Sequence, residues 1–301
     1  MSGSIKNVAV AGAAGSLGTV ILNKLIESNK FNIKVLRRNG SKSTYGAGIN
    51  VVDVDFESVA SLKAALAGQD AVVAPVGFPA LSLQNQLIDA SIEAGVQRFI
   101  PSEFGSDLEN ALTRKLPVFA SKVAVADYLA EKAKSTSLTY TLVSNGAFLD
   151  WGLEKGFILD TSEYKPTIFD GGDAPFSTST LSTVGDAVVG ILLHPNETKN
   201  RAVYVEDLQV TQNQLLTLAK QVAPNKPWQP QANTLDAVTK RSDERLAQKL
   251  FDEETMVPYI YRAIFDPAYG NVFKKTDNAL LGLKGRTEAD ITDILRRVVK
   301  A

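Results

Sequence analysis

Through the first half of the chain, short apolar runs alternate with longer stretches whose apolar positions recur every three or four residues. The short runs are Asn7–Ala11, Asn32–Leu36, Asn50–Val54, Ala71–Pro75, Arg98–Pro101 and Thr139–Val143. Their near-continuous apolar character fits strands covered on both faces, as in a parallel sheet. Helices are predicted between them, near Thr19–Ser28, Val59–Ala67, Ser82–Ala94 and Pro117–Ala133. This alternation predicts an α/β fold, a Rossmann-type doubly wound parallel sheet. Ligands of such sheets bind beyond the C-terminal ends of the strands.

The first turn carries the sharpest motif. Gly12-Ala-Ala14-Gly15-Ser16-Leu17-Gly18 lies between the first strand and the first helix. Gly12 would permit a tight turn, Gly15 would let main chain approach a pyrophosphate, and Gly18 would let the helix pack closely on the strand. The free N–H groups of the helix start, near Ser16 and Leu17, would then face phosphate. Three such glycines are common in ordinary turns, so the position between strand and helix gives the pattern its weight. The second strand ends in Arg37-Arg38, with Lys42 soon after. A free ribose hydroxyl would meet a carboxylate here, whereas a 2′-phosphate suits the planar fork of arginine. The reading is therefore NADP(H) rather than NAD(H), with a solvated basic loop as the alternative.

Other strand ends supply weaker candidates. Asp55 and Phe56 would flank the adenine, although Phe56 serves equally well as core. Val76 and Gly77 would run along the ribose or nicotinamide, and Gln84 would either bond the cofactor or cap a helix. Pro101, Ser102 and Phe148 are expected at the nicotinamide pocket, and Trp151, Phe157 and Phe176 are either an aromatic pocket or core packing.

Later the period changes. Trp151–Ser182 is rich in Gly, Asp, Pro and Thr. Thr183–Leu193 reads as a helix and Arg201–Val205 as a strand, followed by helices over Thr211–Val222, Thr234–Lys249, Glu253–Phe265 and Glu288–Val299. The expected division is a nucleotide-binding part over 1–150, to which 183–205 returns, and a smaller, mostly helical C-terminal lobe over 151–301 that holds substrate.

Composition narrows the chemistry. The chain has 301 residues, 45% hydrophobic and 22% charged, with a formal net charge of −1. Such a balance offers no general attraction to nucleic acid or anionic membrane. The absence of cysteine excludes disulfides, thiolate metal sites and cysteine nucleophiles, and a single histidine, His194, excludes a multi-histidine metal centre. No metal is expected. No run of about 18 apolar residues suggests a membrane span, and the first apolar run leads straight into the glycine turn rather than a cleavage site. A cytoplasmic protein is expected.

Val96-Gln-Arg-Phe-Ile-Pro-Ser-Glu-Phe-Gly105, Val143-Ser-Asn-Gly146 with Phe148, the glycine turn and the arginine pair together resemble the NmrA-like branch of the short-chain dehydrogenase superfamily. The likeness is to its isoflavone reductase-like and phenylcoumaran benzylic ether reductase-like members, and Pro101–Gly105 is its most specific part. It covers roughly residues 5 to 210 and fades in the terminal helices. The resemblance implies NADPH-dependent reduction of phenylpropanoid-like aromatic compounds, with a lysine as acid/base. The matching position is Lys122, in Phe119-Ala-Ser-Lys-Val-Ala-Val-Ala126. Apolar neighbours would desolvate such a lysine and lower its pKa toward neutrality. A rival is Tyr128-Leu-Ala-Glu-Lys132, whose spacing places both side chains on one helix face, with Ser102 upstream. This chain departs from the family at Ala13-Ala14, and at Ala126, where plant reductases carry arginine. Relatives that sense NADP(H) without turning it over leave a regulatory protein of the NmrA type as the alternative function.

Overall fold

The computed structural model describes residues 4–299. Its first half runs β1 (Asn7–Ala11), α1 (Ser16–Glu27), β2 (Asn32–Arg38), β3 (Asn50–Val54), α2 (Val59–Leu66), β4 (Ala71–Val73), α3 (Gln84–Glu93), β5 (Arg98–Ile100), α4 (Ala120–Ser135) and β6 (Thr139–Ser144). Beyond it come β7 (Ala147–Phe148), α5 (Leu149–Glu154), β8 (Thr167–Phe169), β9 (Phe176–Ser179), α6 (Leu181–Leu193), β10 (Arg201–Tyr204), β11 (Leu208–Val210), α7 (Gln212–Val222) and β12 (Gln231–Asn233). The chain closes with α8 (Leu235–Ala247), α9 (Glu253–Phe265), α10 (Asn278–Leu281) and α11 (Glu288–Val298).

The main sheet has seven strands in the order β10-β6-β5-β4-β1-β2-β3, paired in parallel. Alternation along β1 sends Val8 and Val10 to one face, under α1 and α6, and Ala9 and Ala11 to the other, under α2 and α3. Both faces are covered, which is why these strands read as unbroken apolar runs. The order reverses at β1, between β2 and β4. A crevice opens there, beyond the strand ends.

Strands β4 and β5 stop short of the predicted Pro75 and Pro101, because proline has no N–H to give the ladder. Proline also explains the helix starts. Pro79 and Pro117 open short 3-10 turns, Phe78–Leu83 and Pro117–Phe119, ahead of α3 and α4. Between β2 and β3 there is a loop over 39–49 in place of a helix.

The second half is mostly helical, with two small sheets within it. These are β11-β9-β7 and β12-β8, of which β8 and β9 fall in the glycine-rich stretch 151–182 that had offered no strand period. Phe169, Phe176, Leu215, Phe265, Ile291 and Leu295 form its core. Helix α6 packs beside α1, and β10 pairs with β6, so this stretch rejoins the large sheet. Arg98 secures that edge. It is 2% exposed and donates to Thr139 Oγ1 at 2.9 Å, Thr141 Oγ1 at 2.9 Å, Thr198 Oγ1 at 3.0 Å and the Pro195 carbonyl. Burial pulls its guanidinium down to about 10. Among the described residues, no helix is long and apolar enough to cross a membrane.

Candidate active site

Two cavities lie on either side of the first turn of α1. The first is a cleft of about 330 Å³ at the sheet crevice. Gly12, Ala14, Gly15, Arg37, Arg38, Phe56, Val76, Gly77 and Gln84, all singled out in the sequence, line it. Gly12 has φ 92°, and a Cβ there would stand 2.7 Å from the Pro75 carbonyl oxygen. A Cβ on Gly18 would stand 2.0 Å from the Gly12 carbonyl oxygen, so the helix closes onto the turn only with glycine at that place. Gly15 is the N-cap of α1, with no side-chain cap and no acidic residue in the first turn. The positive helix end is thereby left for an anion.

The arginine pair is divided. Arg37 donates from Nε and Nη2 to the Asp53 carboxylate at 2.6 and 2.8 Å, and from Nη1 to the Ser43 carbonyl at 2.9 Å. This pairing holds Asp53 below the usual carboxylate range. Three of the five N–H groups on Arg37 are used. The Arg38 guanidinium forms no hydrogen bond or ion pair with a described residue. Lys42 is exposed and lies outside the lining, as do Asp55, Pro101 and Ser102. Ser41, Ser43 and Tyr45 of the 39–49 loop, not expected here, do line it.

Ser102 and Gln84 brace the cleft from within. Gln84 Oε1 accepts from the Ser102 N–H at 2.8 Å, and Ser102 Oγ donates to the Val76 carbonyl at 2.7 Å. The Val76–Gly77 turn is thereby fixed against the end of β5. Phe56 lines the cleft and also packs against the core under α2 and α3.

The second cavity, about 380 Å³, is predominantly apolar. Phe104, Phe119, Phe148, Trp151, Phe157, Ile260 and Ile264 wall it, and Ser16 and Leu17 of α1, which follow Gly15 of the cleft along the chain, line it too. Trp151 meets Phe157 at 5.8 Å between ring centroids, and Phe157 meets Tyr261 at 5.1 Å. Phe176 is instead core, 1% exposed and edge-on to Phe265. Phe119, Leu181, Ile260 and Ile264 were not anticipated. Ile260 and Ile264 stand one turn apart on α9, a spacing indistinguishable from ordinary core packing.

Lys122 lies in the first turn of α4 and reaches into this cavity. Its Nζ donates to the Glu103 carbonyl and to the Phe104 carbonyl at 3.2 Å. Gly105, next along, accepts from the Asn145 and Gly146 N–H groups at 3.0 Å each, so the loop after β5 is pinned to the end of β6. Burial pushes the Lys122 amine down from its ordinary pKa, and the Glu103 carboxylate pushes back. Tyr128 and Lys132 are elsewhere. The Tyr128 hydroxyl donates to Asp89 at 2.6 Å, and Lys132 lies 3.3 Å from the same carboxylate. Neither residue lines either cavity.

Comparison with known proteins gives the family and the fold. The NmrA-like family profile covers residues 4–256. Oxidoreductase aprR of Aspergillus flavus is 36% identical over 212 residues, 69% of this chain and 71% of that protein. A crystal structure of isoflavone reductase superposes with a TM-score of 0.79 at 20% identity, over 97% of this chain and 99% of that one. The structure of AtPrR2 with NADP+ and (+)pinoresinol gives 0.78 at 18% identity, over 99% and 100%. The shared fold thus continues through the C-terminal lobe, where the sequence motifs had faded. By the extent of the matched segment, which includes the glycine turn and the Pro101–Gly105 loop, the chain belongs to the NmrA-like family.

Proposed function

We propose that the chain is an NADPH-dependent reductase of a small, largely apolar aromatic or enone-type compound. The observation that carries this reading is the Lys122 amine. It is held by two main-chain carbonyls inside an apolar pocket, across one helical turn from a glycine cleft. The names of the relatives support it: an oxidoreductase, an isoflavone reductase, and a protein solved with NADP+ and an aromatic ligand.

The residues present fit the dinucleotide. The Gly12–Gly18 backbone, with Ser16 and Leu17 at the helix start, would hold the pyrophosphate. Arg38, with the two spare N–H groups of Arg37, would hold the 2′-phosphate. Val76, Gly77 and the brace of Gln84 and Ser102 would shape the nicotinamide end, with Pro101 behind it and Phe148 in the adjoining wall. When bound, NADPH supplies a hydride.

The protein's share is to exclude water and move a proton. Two carbonyls occupy two N–H groups of Lys122. In the ammonium form a third N–H remains for a substrate oxygen, and in the neutral form a lone pair takes its place. One amine can therefore deliver a proton and later recover it. The aromatic walls bury the reacting compound, which strengthens that exchange.

The test is to mix purified protein with NADPH or NADH and a panel of aromatic enones and benzylic ethers. NADPH absorbance should fall with at least one of them, and Lys122→Ala should abolish that loss while cofactor still binds. NADP(H) binding without Lys122-dependent turnover on any compound would favour the regulatory sensor instead. Loss of activity in Tyr128→Phe would restore the rival pair.

A further inference from the structure

Several hydroxyl groups near this site are engaged. Ser102 donates to the Val76 carbonyl at 2.7 Å, Ser177 to the Glu206 carboxylate, and Thr183 to Asp207 at 2.8 Å. Ser106 differs. It is half-buried, lines the apolar pocket, and follows closely on Glu103 and Phe104, whose carbonyls hold the Lys122 amine. Its hydroxyl forms no hydrogen bond with a described residue, yet its oxygen is not enclosed by protein. Ser106 also borders a recess of about 10 Å³, shared with Gly270 and Asn271, which has room for one water at most.

The rest of the pocket offers little to a substrate hydroxyl. Phe119, Phe148, Phe157, Leu181 and Ile264 bring only carbon, and the Trp151 indole N–H can donate but not accept. Main-chain carbonyls on the lining are already engaged: Phe104 accepts from Lys122, Gly105 from the Asn145 and Gly146 N–H groups, and Gly146 from Asn145 Nδ2. Ser16 is exposed, at the helix start assigned above to phosphate. A hydroxyl on the substrate ring would therefore lose its water and find no acceptor. An oxygen beside the reacting carbonyl would find Ser106.

We propose that Ser106 is a specificity-determining residue of this pocket, and that the substrate is an aromatic ketone or enone whose oxygens lie together at Lys122 and Ser106 and whose ring carries no hydroxyl group. This names the substrate class of the function proposed above and rests on that reading, although the order of binding it sets can be read without turnover. A hydroxyl or a second carbonyl on the neighbouring carbon is served alike, because a serine hydroxyl both donates and accepts. A compound without that second oxygen leaves Ser106 to water.

Trp151 reports on the pocket directly. The other tryptophan, Trp228, lies outside it, bonded to the Ala223 carbonyl at 2.9 Å and edge-on to Tyr164. In Trp228→Phe, with NADP+ present, quenching of Trp151 emission measures the binding of three probes: benzalacetone, its ring para-hydroxy analogue, and the analogue with a hydroxyl on the carbon next to the carbonyl. Calorimetry on the natural chain gives the same constants should that variant not fold. The ring hydroxyl should weaken binding by about 10-fold to 100-fold. The hydroxyl next to the carbonyl should not weaken it, and Ser106→Ala should weaken that analogue alone, by about 5-fold. Equal or tighter binding of the ring-hydroxylated probe overturns the substrate class, in the natural chain as in any variant. A Ser106→Ala effect that is absent, or the same for all three probes, overturns the role of Ser106. Binding of none of them overturns both. The expected order without NADPH consumption keeps the site and removes the reductase reading, whereas preferred consumption of the ring-hydroxylated probe keeps that reading and removes this proposal.

Discussion

The cleft at Gly12–Gly15 and the pocket around Lys122 lie on opposite sides of the same helical turn, yet they are made of different material. At its glycine end the cleft takes its shape from main chain: a left-handed glycine, a second glycine pressed on the first, and an uncapped helix start. The pocket takes its shape from side chains contributed by segments as distant as Leu17, Phe104, Trp151 and Ile264. A site made of main chain depends on spacing within one turn. A site made of side chains depends on the packing of the whole lobe, so the two should fail in different ways when altered.

Variants can sharpen that contrast, from the largest expected effect downward. Lys122→Ala should reduce turnover by about 10³-fold while leaving NADPH affinity unchanged, measured by steady-state kinetics beside calorimetry. Gly18→Ala should do the reverse. Its Cβ would meet the Gly12 carbonyl oxygen at 2.0 Å, so nucleotide affinity and thermal stability should fall together, with a stability loss of about 3 kcal/mol. An affinity loss in the first variant, or a pure turnover loss in the second, would break the division between the two sites.

The third prediction concerns pH. Glu103 titrates at about 7 in the fold against an ordinary 4.5 when unfolded, so between those values the folded chain holds the extra proton. Its contribution to stability is complete below 4.5 and is lost as pH rises through 7, about 3 kcal/mol in all. Urea denaturation across that window should show the decline in the natural chain and a flatter profile in Glu103→Gln. Smallest is the effect of Arg38→Gln, about 2 kcal/mol in NADPH binding with NADH binding unmoved. Arg37→Gln should also loosen Asp53, because Arg37 and Asp53 are register partners on β2 and β3.

What could be read from residues alone follows the same line. The glycine turn was legible because main-chain geometry constrains residue type over a few positions. Lys122 was legible through the Pro101–Gly105 motif and the helix after it, not through its own surroundings in sequence. The pairing of Arg37 with Asp53 was hidden because it depends on strand register, which neither strand states alone. Glu103 stood inside the most specific motif, yet nothing in sequence marks a carboxylate as buried. Phe176 and Phe157 look alike as letters. Only the packing of β9 against α9 sends one to the core and leaves the other on a cavity wall.

The placing of Ser16 and Leu17 on the pocket, directly after Gly15 on the cleft, has a kinetic consequence. The start of that turn would be steadied by pyrophosphate, and the side facing the pocket would meet the aromatic ring of the proposed substrate. A ring arriving early finds a wall still unsupported, and lacks the nicotinamide face it would stack upon. Nucleotide should therefore enter first and leave last, and product inhibition patterns would display that queue.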